Sequence, residues 1–351
     1  MLRTSVRSLS SSVPLKANYG FVGLGQMGQH MARHIYSKLD ATDKLYVFDT
    51  VPQATNQFVQ NVTQLKPENQ DKLTALTSLG DFGKIDSFDY IVSMVPEGKH
   101  VKAVTEELVA GFKAAGNTSY PTTFVDSSTI DIPTSAGAAA YVAKEVPAFS
   151  FIDAPVSGGV AGARNGTLTF MVSKATESEI APGFVTLLNK MGKNIFACGA
   201  NPGSGLGAKL ANNYCLAVTN LAVCDSFQLA KSFGLDPKKY AKIIAVSTGK
   251  SWASVDNCPI PGVYPEAQLP SDADYHGGFV TKLTRKDLVL ALNSAEQYHR
   301  PLYLGETSRY WYDKGCEHKD IADRDLSVLY EYLGDIKEDA AGKLVDTHKS
   351  A

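Results

Sequence analysis

Tyr19-Gly20-Phe21-Val22-Gly23-Leu24-Gly25-Gln26-Met27-Gly28 is the stretch that decides the fold. A short apolar strand runs straight into Gly-x-Gly-x-x-Gly, and a helical run through Ala32 and Ile35 follows. Glycines at these spacings allow a tight turn and a close backbone approach, while the start of the helix offers free amides to a pyrophosphate. Gly23, Leu24, Gly25, Gln26, Met27 and Gly28 are therefore the expected dinucleotide cradle. The motif gains weight from its context. A second strand, Leu45-Tyr46-Val47-Phe48, ends in Asp49, 21 residues beyond Gly28. An aspartate there accepts hydrogen bonds from ribose hydroxyls and repels a 2′-phosphate, and Thr50-Val51-Pro52 brings no arginine to welcome one, so NAD is expected over NADP. The competing reading of Asp49 is a turn cap ahead of Pro52.

Further strands are expected at 90–95, 122–126, 149–153, 167–172 and 194–197, most of them separated by helical stretches. That alternation is the pattern of an α/β fold with a Rossmann-type doubly wound sheet, and ligands of such sheets gather at the carboxyl ends of the strands. Three of those ends stand out. Val95-Pro96 offers apolar surface to a cofactor, or simply stops a strand. Thr129 borders the same region, or belongs to an N-cap box for the helix after it. Ser157-Gly158-Gly159 places two glycines after a serine, so that consecutive amides are free to hold a carboxylate; a plain turn needs only one glycine.

From Leu206 to Phe233 the chain reads as one long helix without proline, apolar over most of its circumference, which predicts burial. Ser204 is placed to cap its start, and Gly234, Asp236 and Pro237 end it and open the next. Lys209, Asn212 and Asn213 interrupt the apolar run on one face. A buried ammonium must be paired or must lose its proton. Two readings stay open here: a lysine that snorkels to solvent with two structural amides, or a lysine whose proton is available for chemistry. Beyond this helix the pattern is helical at 237–247, 280–298, 302–314 and 321–333, with one exception. Residues 248–278 form a loop rich in Pro, Gly and Asp whose aromatic residues, Trp252, Tyr264 and Tyr275 with Phe279 beyond it, predict order against another surface. The basic cluster from Lys282 to Lys286 is a solvated face or a lure for an anionic ligand.

The expected organisation is thus a dinucleotide-binding domain at 18–202, an interdomain helix at 203–234, an all-α C-terminal domain at 235–335 and a frayed tail at 336–351. Residues 1–17, with Arg3, Arg7, Lys16, five serines and no acid, have the composition of a mitochondrial transit peptide; a disordered basic tail is the alternative. A net charge of −2 spread along 351 residues provides no basic field for nucleic acid, and no apolar run reaches the roughly 20 residues that span a bilayer. Cys198, Cys215, Cys224, Cys258 and Cys316 are odd in number and widely spaced, as reduced core thiols are, with Cys215 and Cys224 inside the long helix. No histidine or cysteine spacing suggests a metal site.

Four segments in order, Gly23 to Gly28, Phe151-Ile152-Asp153-Ala154-Pro155-Val156-Ser157-Gly158-Gly159, Gly205-Leu206-Gly207-Ala208-Lys209-Leu210-Ala211-Asn212-Asn213 and Lys286-Asp287-Leu288, make the chain resemble the β-hydroxyacid dehydrogenase family from about Tyr19 to Leu333. The loop from Ser251-Trp252 to Gly277-Gly278-Phe279 is similar to that of its mitochondrial members. The resemblance implies NAD-dependent oxidation of (S)-3-hydroxyisobutyrate to methylmalonate semialdehyde, a step of valine breakdown in the mitochondrial matrix, by a homo-oligomer (dimer or tetramer). It assigns the dinucleotide to Gly23, Leu24, Gly25, Gln26, Met27, Gly28, Asp49, Val95, Pro96, Thr129 and Lys286. It assigns catalysis to Lys209 with Asn213, and the substrate to Ser157, Gly158, Gly159, Lys209 and Asn213. A related reductase of tartronate or succinic semialdehyde, or a non-catalytic dinucleotide-binding relative, shares most of these motifs. Two departures from the family pattern are His100, where relatives often carry asparagine, and the length of 60–88, to which no role attaches.

Overall fold

The computed structural model describes residues 17–349, so the expected leader lies outside the described residues except for Ala17. Six parallel strands form the main sheet: β1 (Asn18–Val22), β2 (Lys44–Phe48), β3 (Leu73–Ala75), β4 (Tyr90–Ser93), β5 (Thr123–Asp126) and β6 (Ser150–Asp153), in the order β3-β2-β1-β4-β5-β6. This is the doubly wound order, and the direction of winding reverses between β1 and β4. The connecting helices are α1 (Gly28–Ser37), α2 (Pro52–Leu65), α3 (Gly98–Ala114) and α4 (Ile132–Glu145). Both sheet faces are buried, as parallel sheets require. One face packs Phe21, Val47 and Val92 with Met31 and Ile35 of α1. The other is aromatic, with Phe82, Phe88, Phe112, Phe124 and Phe149 in contact and the rings of Phe112 and Phe149 edge to face at 5.0 Å.

The strands expected at 167–172 and 194–197 exist but do not join that sheet. β7 (Val156–Ser157), β8 (Leu168–Val172) and β9 (Gly192–Ala197) make a separate three-stranded sheet, because β7 runs antiparallel to β8. Gly158 and Gly159, with φ of 124° and 59°, turn the chain between them into α5 (Gly159–Asn165), and α6 (Pro182–Met191) packs against α1. Residues 60–88 are structural: they contain the edge strand β3 between two 3-10 turns.

The long helix is α7 (Ser204–Ser232), about 44 Å at 1.5 Å per residue. Two expectations about it fail. Ser204 is not its cap, since the N-cap position is Gly203 with φ of 90° and no side-chain bond. Nor is the helix buried all round: Ala211, Cys215, Ala222, Leu229 and the following Phe233, at spacings of four and seven, form a solvent-facing stripe in the single chain. Cys215 is therefore exposed while Cys224 is buried.

The remaining helices are α8 (Pro237–Ile244), α9 (Trp252–Val255), α10 (Thr281–Gln297), α11 (Gly305–Cys316), α12 (Lys319–Ala322) and α13 (Leu329–Asp335). α8 is capped by Asp236, whose carboxylate accepts the Lys239 amide at 2.8 Å. The expected loop at 248–278 is ordered by a buried carboxylate. Asp325 accepts Asn257 Nδ2 and the Phe279 amide, each at 2.8 Å, so the chain just after α9 and the residue just past the end of the loop are tied to one carboxylate. The tail is not frayed throughout: β10 (Ile336–Glu338) and β11 (Leu344–Asp346) form an antiparallel hairpin, and His348 beyond it bonds to Asp335 and Asp320. Side-chain pairs, which charge pattern alone does not reveal, hold it.

Candidate active site

The turn from Gly23 to Gly28 joins β1 to α1 at the point where the winding reverses. Gly23 has φ of 94°, and a Cβ on Gly28 would stand 1.9 Å from the Gly23 carbonyl oxygen, so neither position admits a side chain. A Cβ on Gly25 would meet nothing within 4 Å: the space above the turn is open. α1 starts at Met27 without a side-chain cap; the Gln29 and His30 amides turn back onto the Gly25 and Met27 carbonyls, and it is the amides of the turn before them, Gly25 to Gly28, that are left for a ligand. Asp49 caps the turn and leaves room for its other expected role. Its Oδ2 accepts the Leu24 amide at 2.6 Å and its Oδ1 the Val51 amide at 2.8 Å, which fixes the turn, and each oxygen keeps a further lone pair for a ribose hydroxyl. An uncapped helix start, an open glycine turn and a carboxylate beside it fit a dinucleotide.

The neighbouring strand ends are organised by Asp126, fully buried at the end of β5. Its Oδ1 accepts Ser93 Oγ at 2.8 Å and Ser128 Oγ at 2.7 Å, and Ser128 Oγ in turn accepts the Val95 amide at 2.9 Å. Burial pushes this carboxyl up to about 6 against the hydrogen bonds from Ser128 and Ser93. One acid therefore sets the position of Val95-Pro96 and of the turn that holds Thr129. Thr129 has no capping duty: α4 is capped by Asp131, which accepts the Thr134 amide at 2.8 Å.

Lys209 and Asn213 are buried one turn apart on the inner face of α7. Asn213 Nδ2 donates to Asp287 Oδ2 at 2.6 Å, and Asn212 Nδ2 donates to Asn213 Oδ1 at 3.1 Å, so the Asn213 amide is held from both ends. Asn212 is exposed and acts through its neighbour. Burial pushes the Lys209 ammonium below the usual lysine range; Asp287 opposes the shift and Lys286 adds to it. Within the basic cluster, Lys282 pairs with Asp323 at 2.6 Å and Arg285 with Asp313 at 2.5 Å. Lys286 alone of the three crosses to the first domain, donating to the Thr129 carbonyl at 2.7 Å and the Pro96 carbonyl at 3.4 Å while lying 3.2 Å from Asp287 Oδ1.

The structure thus brings Pro96, Thr129 and Lys286 into one contact, puts Lys209 within the field of Lys286 and of the Asp287 to which Asn213 is bonded, and sets Leu24 against Asp49. Ser157, Gly158 and Gly159 share no hydrogen bond with Lys209 or Asn213 among the described residues; they reach α7 through β8, on which the first turn of that helix lies. The sequence reading missed Asp126, Asp153 and Asp287 as site residues. Asp287 was within a quoted motif, and the sign to follow was an acid next to a lysine on a helix that must face another buried lysine.

Residues 18–199 match the family model described as the NAD binding domain of 6-phosphogluconate dehydrogenase, and residues 203–333 the one described as NAD-binding of NADP-dependent 3-hydroxyisobutyrate dehydrogenase. The mitochondrial 3-hydroxyisobutyrate dehydrogenase of Drosophila melanogaster is 37% identical over 94% of this chain and 93% of its own length. That of Homo sapiens is 35% identical over 92% and 89%. Among solved structures, 3-hydroxyisobutyrate dehydrogenase of Mycobacterium tuberculosis with L-serine aligns at a TM-score of 0.76 and 30% identity, covering 91% of this chain and 99% of the other.

Proposed function

Because the chain belongs to the 3-hydroxyisobutyrate dehydrogenase family, we propose that Lys209 is the general base of its reaction, with Asn213 beside it and Ser157, Gly158 and Gly159 holding the substrate carboxylate. The reaction is the NAD-dependent oxidation of 3-hydroxyisobutyrate, a primary alcohol, to its semialdehyde. NAD, held at Gly23 to Gly28 and Asp49, would supply the acceptor for the hydride of the hydroxyl-bearing carbon. The chain's residues do the rest. Neutral Lys209 accepts the hydroxyl proton as the carbonyl forms and returns it in the reverse direction. Burial supports that role, because it disfavours the ammonium, which has no lone pair with which to accept a proton. The Asn213 amide, clamped by Asp287 and Asn212, orients the oxygen. The bonds of Lys286 to the Pro96 and Thr129 carbonyls support its role as a cofactor contact from α10.

One of the matching family descriptions names NADP-dependent enzymes. Asp49 supports NAD for this chain, since its carboxylate sits directly on the glycine turn and would repel a 2′-phosphate. The curated relatives are named mitochondrial, and the basic, serine-rich leader supports the matrix as the compartment. A homo-oligomer is supported by the apolar stripe on α7, which in one chain faces water.

The observation that carries the reading is a lysine 8% exposed on a helix wall, one turn from an amide held on both sides. It is tested by following nicotinamide absorbance with a panel of small 3-hydroxy acids and either NAD or NADP. Lys209→Ala is expected to lower turnover about a hundredfold or more while NAD affinity stays near the parent's. Retained turnover removes Lys209 from its role. Comparable efficiency with NADP removes the assignment made to Asp49.

A further inference from the structure

Asp153 ends β6, beside Asp126 in the strand register, and is buried. Its Oδ1 accepts the Gly203 amide at 2.7 Å and its Oδ2 the Leu206 amide at 3.1 Å, both at the start of α7. Ser173 Oγ, just past β8, accepts the Gly205 amide at 2.9 Å. The helix has no local substitute, because its own N-cap residue is a glycine without a capping bond. Its first turn is also pressed onto the small sheet: a Cβ on Gly205 would stand 2.1 Å from the Met171 carbonyl oxygen. Leu206 is fully buried with Val101 and Ile130, and Val95 packs on the same cluster.

A serine or asparagine would satisfy one such amide; a carboxylate satisfies two and opposes the positive end of the helix. Burying that charge is costly unless each of its bonds is made, and both are. The position of Asp153 in the chain supplies the purpose. Its main chain continues through Ala154-Pro155-Val156 into Ser157-Gly158-Gly159. Its side chain grips the helix on which Lys209 stands three residues, about 4.5 Å of rise, beyond Leu206. A helix transmits a shift of its first turn along its axis, so movement at Gly203 moves the lysine.

We propose that Asp153 is a positioning residue: by holding the first turn of α7 it fixes the distance between the Lys209 amine and the substrate turn at Ser157 to Gly159. The proposal rests on the reading of Lys209 as the base and of that turn as the carboxylate site.

The test compares full-length Asp153→Asn and Ser173→Ala with the parent and with Lys209→Ala. Turnover, KM for each substrate, amide exchange over residues 203–213, and the rate at which a small activated ester acylates the Lys209 amine are measured. Asp153→Asn is expected to lower kcat about tenfold to a hundredfold, as a displacement near 1 Å does, with KM for NAD within about twofold of the parent. Amide exchange at Gly203 and Leu206 and labelling of Lys209 should both quicken, and Ser173→Ala should move every readout in the same direction by less. Parental kcat and labelling in Asp153→Asn overturn the proposal. So does a kcat that falls only in proportion to the NAD-binding sites lost on misfolding. If Asp153→Asn does not fold, parental kcat and exchange in Ser173→Ala overturn it. Should Lys209→Ala keep parental turnover, the reading of the base has failed; labelling and exchange in Asp153→Asn still report whether Asp153 places that amine.

Discussion

Asp287 pulls on the proposed base in the direction opposite to its surroundings. Burial drives the Lys209 ammonium to give up its proton, and the Asp287 carboxylate works to keep it there. Removing that charge while keeping an acceptor for Asn213 should therefore let Lys209 deprotonate earlier. In Asp287→Asn the acidic limb of the kcat profile is expected to move to lower pH; a limb that stays in place or moves up separates Asp287 from the proton transfer. Lys209 was legible in the sequence because an ammonium in an apolar helix is an anomaly that physics obliges one to explain. Asp153 and Asp287 were not, because what makes each of them matter is a partner 50 or 74 residues away. No local pattern carries such a pairing.

At the scale of elements, glycine positions were the most legible feature. The β1–α1 turn must accept φ of 94° and a backbone approach that excludes a Cβ, and a sequence can only meet that demand in one way. β3 was hidden for the converse reason: three residues at a sheet edge, two of them exposed, need no hydrophobic alternation. The β10–β11 hairpin was hidden by its charges, which read as solvated; Asp346 and His348 are in fact paired with His318, Asp320 and Asp335. Burial lowers the affinity of His348 for a proton, but its bonds to Asp335 at 2.7 Å and Asp320 at 3.0 Å outweigh burial and leave it raised above the ordinary histidine value. The sign follows from linkage. A raised folded value contributes stability that is present in full below the ordinary value near 6.5 and is lost as the pH climbs through the raised one. Proteolysis of the hairpin tests this: the ratio of His348→Ala to parental cleavage should be greater near pH 6 than near pH 8. An unchanged ratio shows that the ring holds the tail by shape alone.

At the scale of the whole molecule, α7 stands between the strands that precede it and the helices that follow it, and its two faces differ. The inner face buries Lys209 and Asn213, with Asn213 bonded to Asp287 of α10. The outer face carries the stripe from Ala211 to Phe233, with Leu229 55% and Phe233 72% exposed. Leu235, Ile243 and Val246 extend the apolar surface beyond the end of the helix. A self-complementary stripe of this kind suits a two-fold contact. Leu229→Asp with Phe233→Asp is expected to reduce the mass seen by light scattering to that of one chain. An unchanged mass, or a parent that already scatters as one chain, removes the contact proposed for this stripe.

Cys215 lies in that stripe, and its thiol is exposed, whereas those of Cys224 and Cys258 are enclosed. The chain thereby carries its own reporter. Under the two-fold contact proposed for the stripe, a thiol dye would react with Cys215 readily in separated chains and slowly where the stripe is covered. Its modification rate across a dilution series, with the partly exposed Cys198 and Cys316 replaced by serine, would then yield the dissociation constant of that contact.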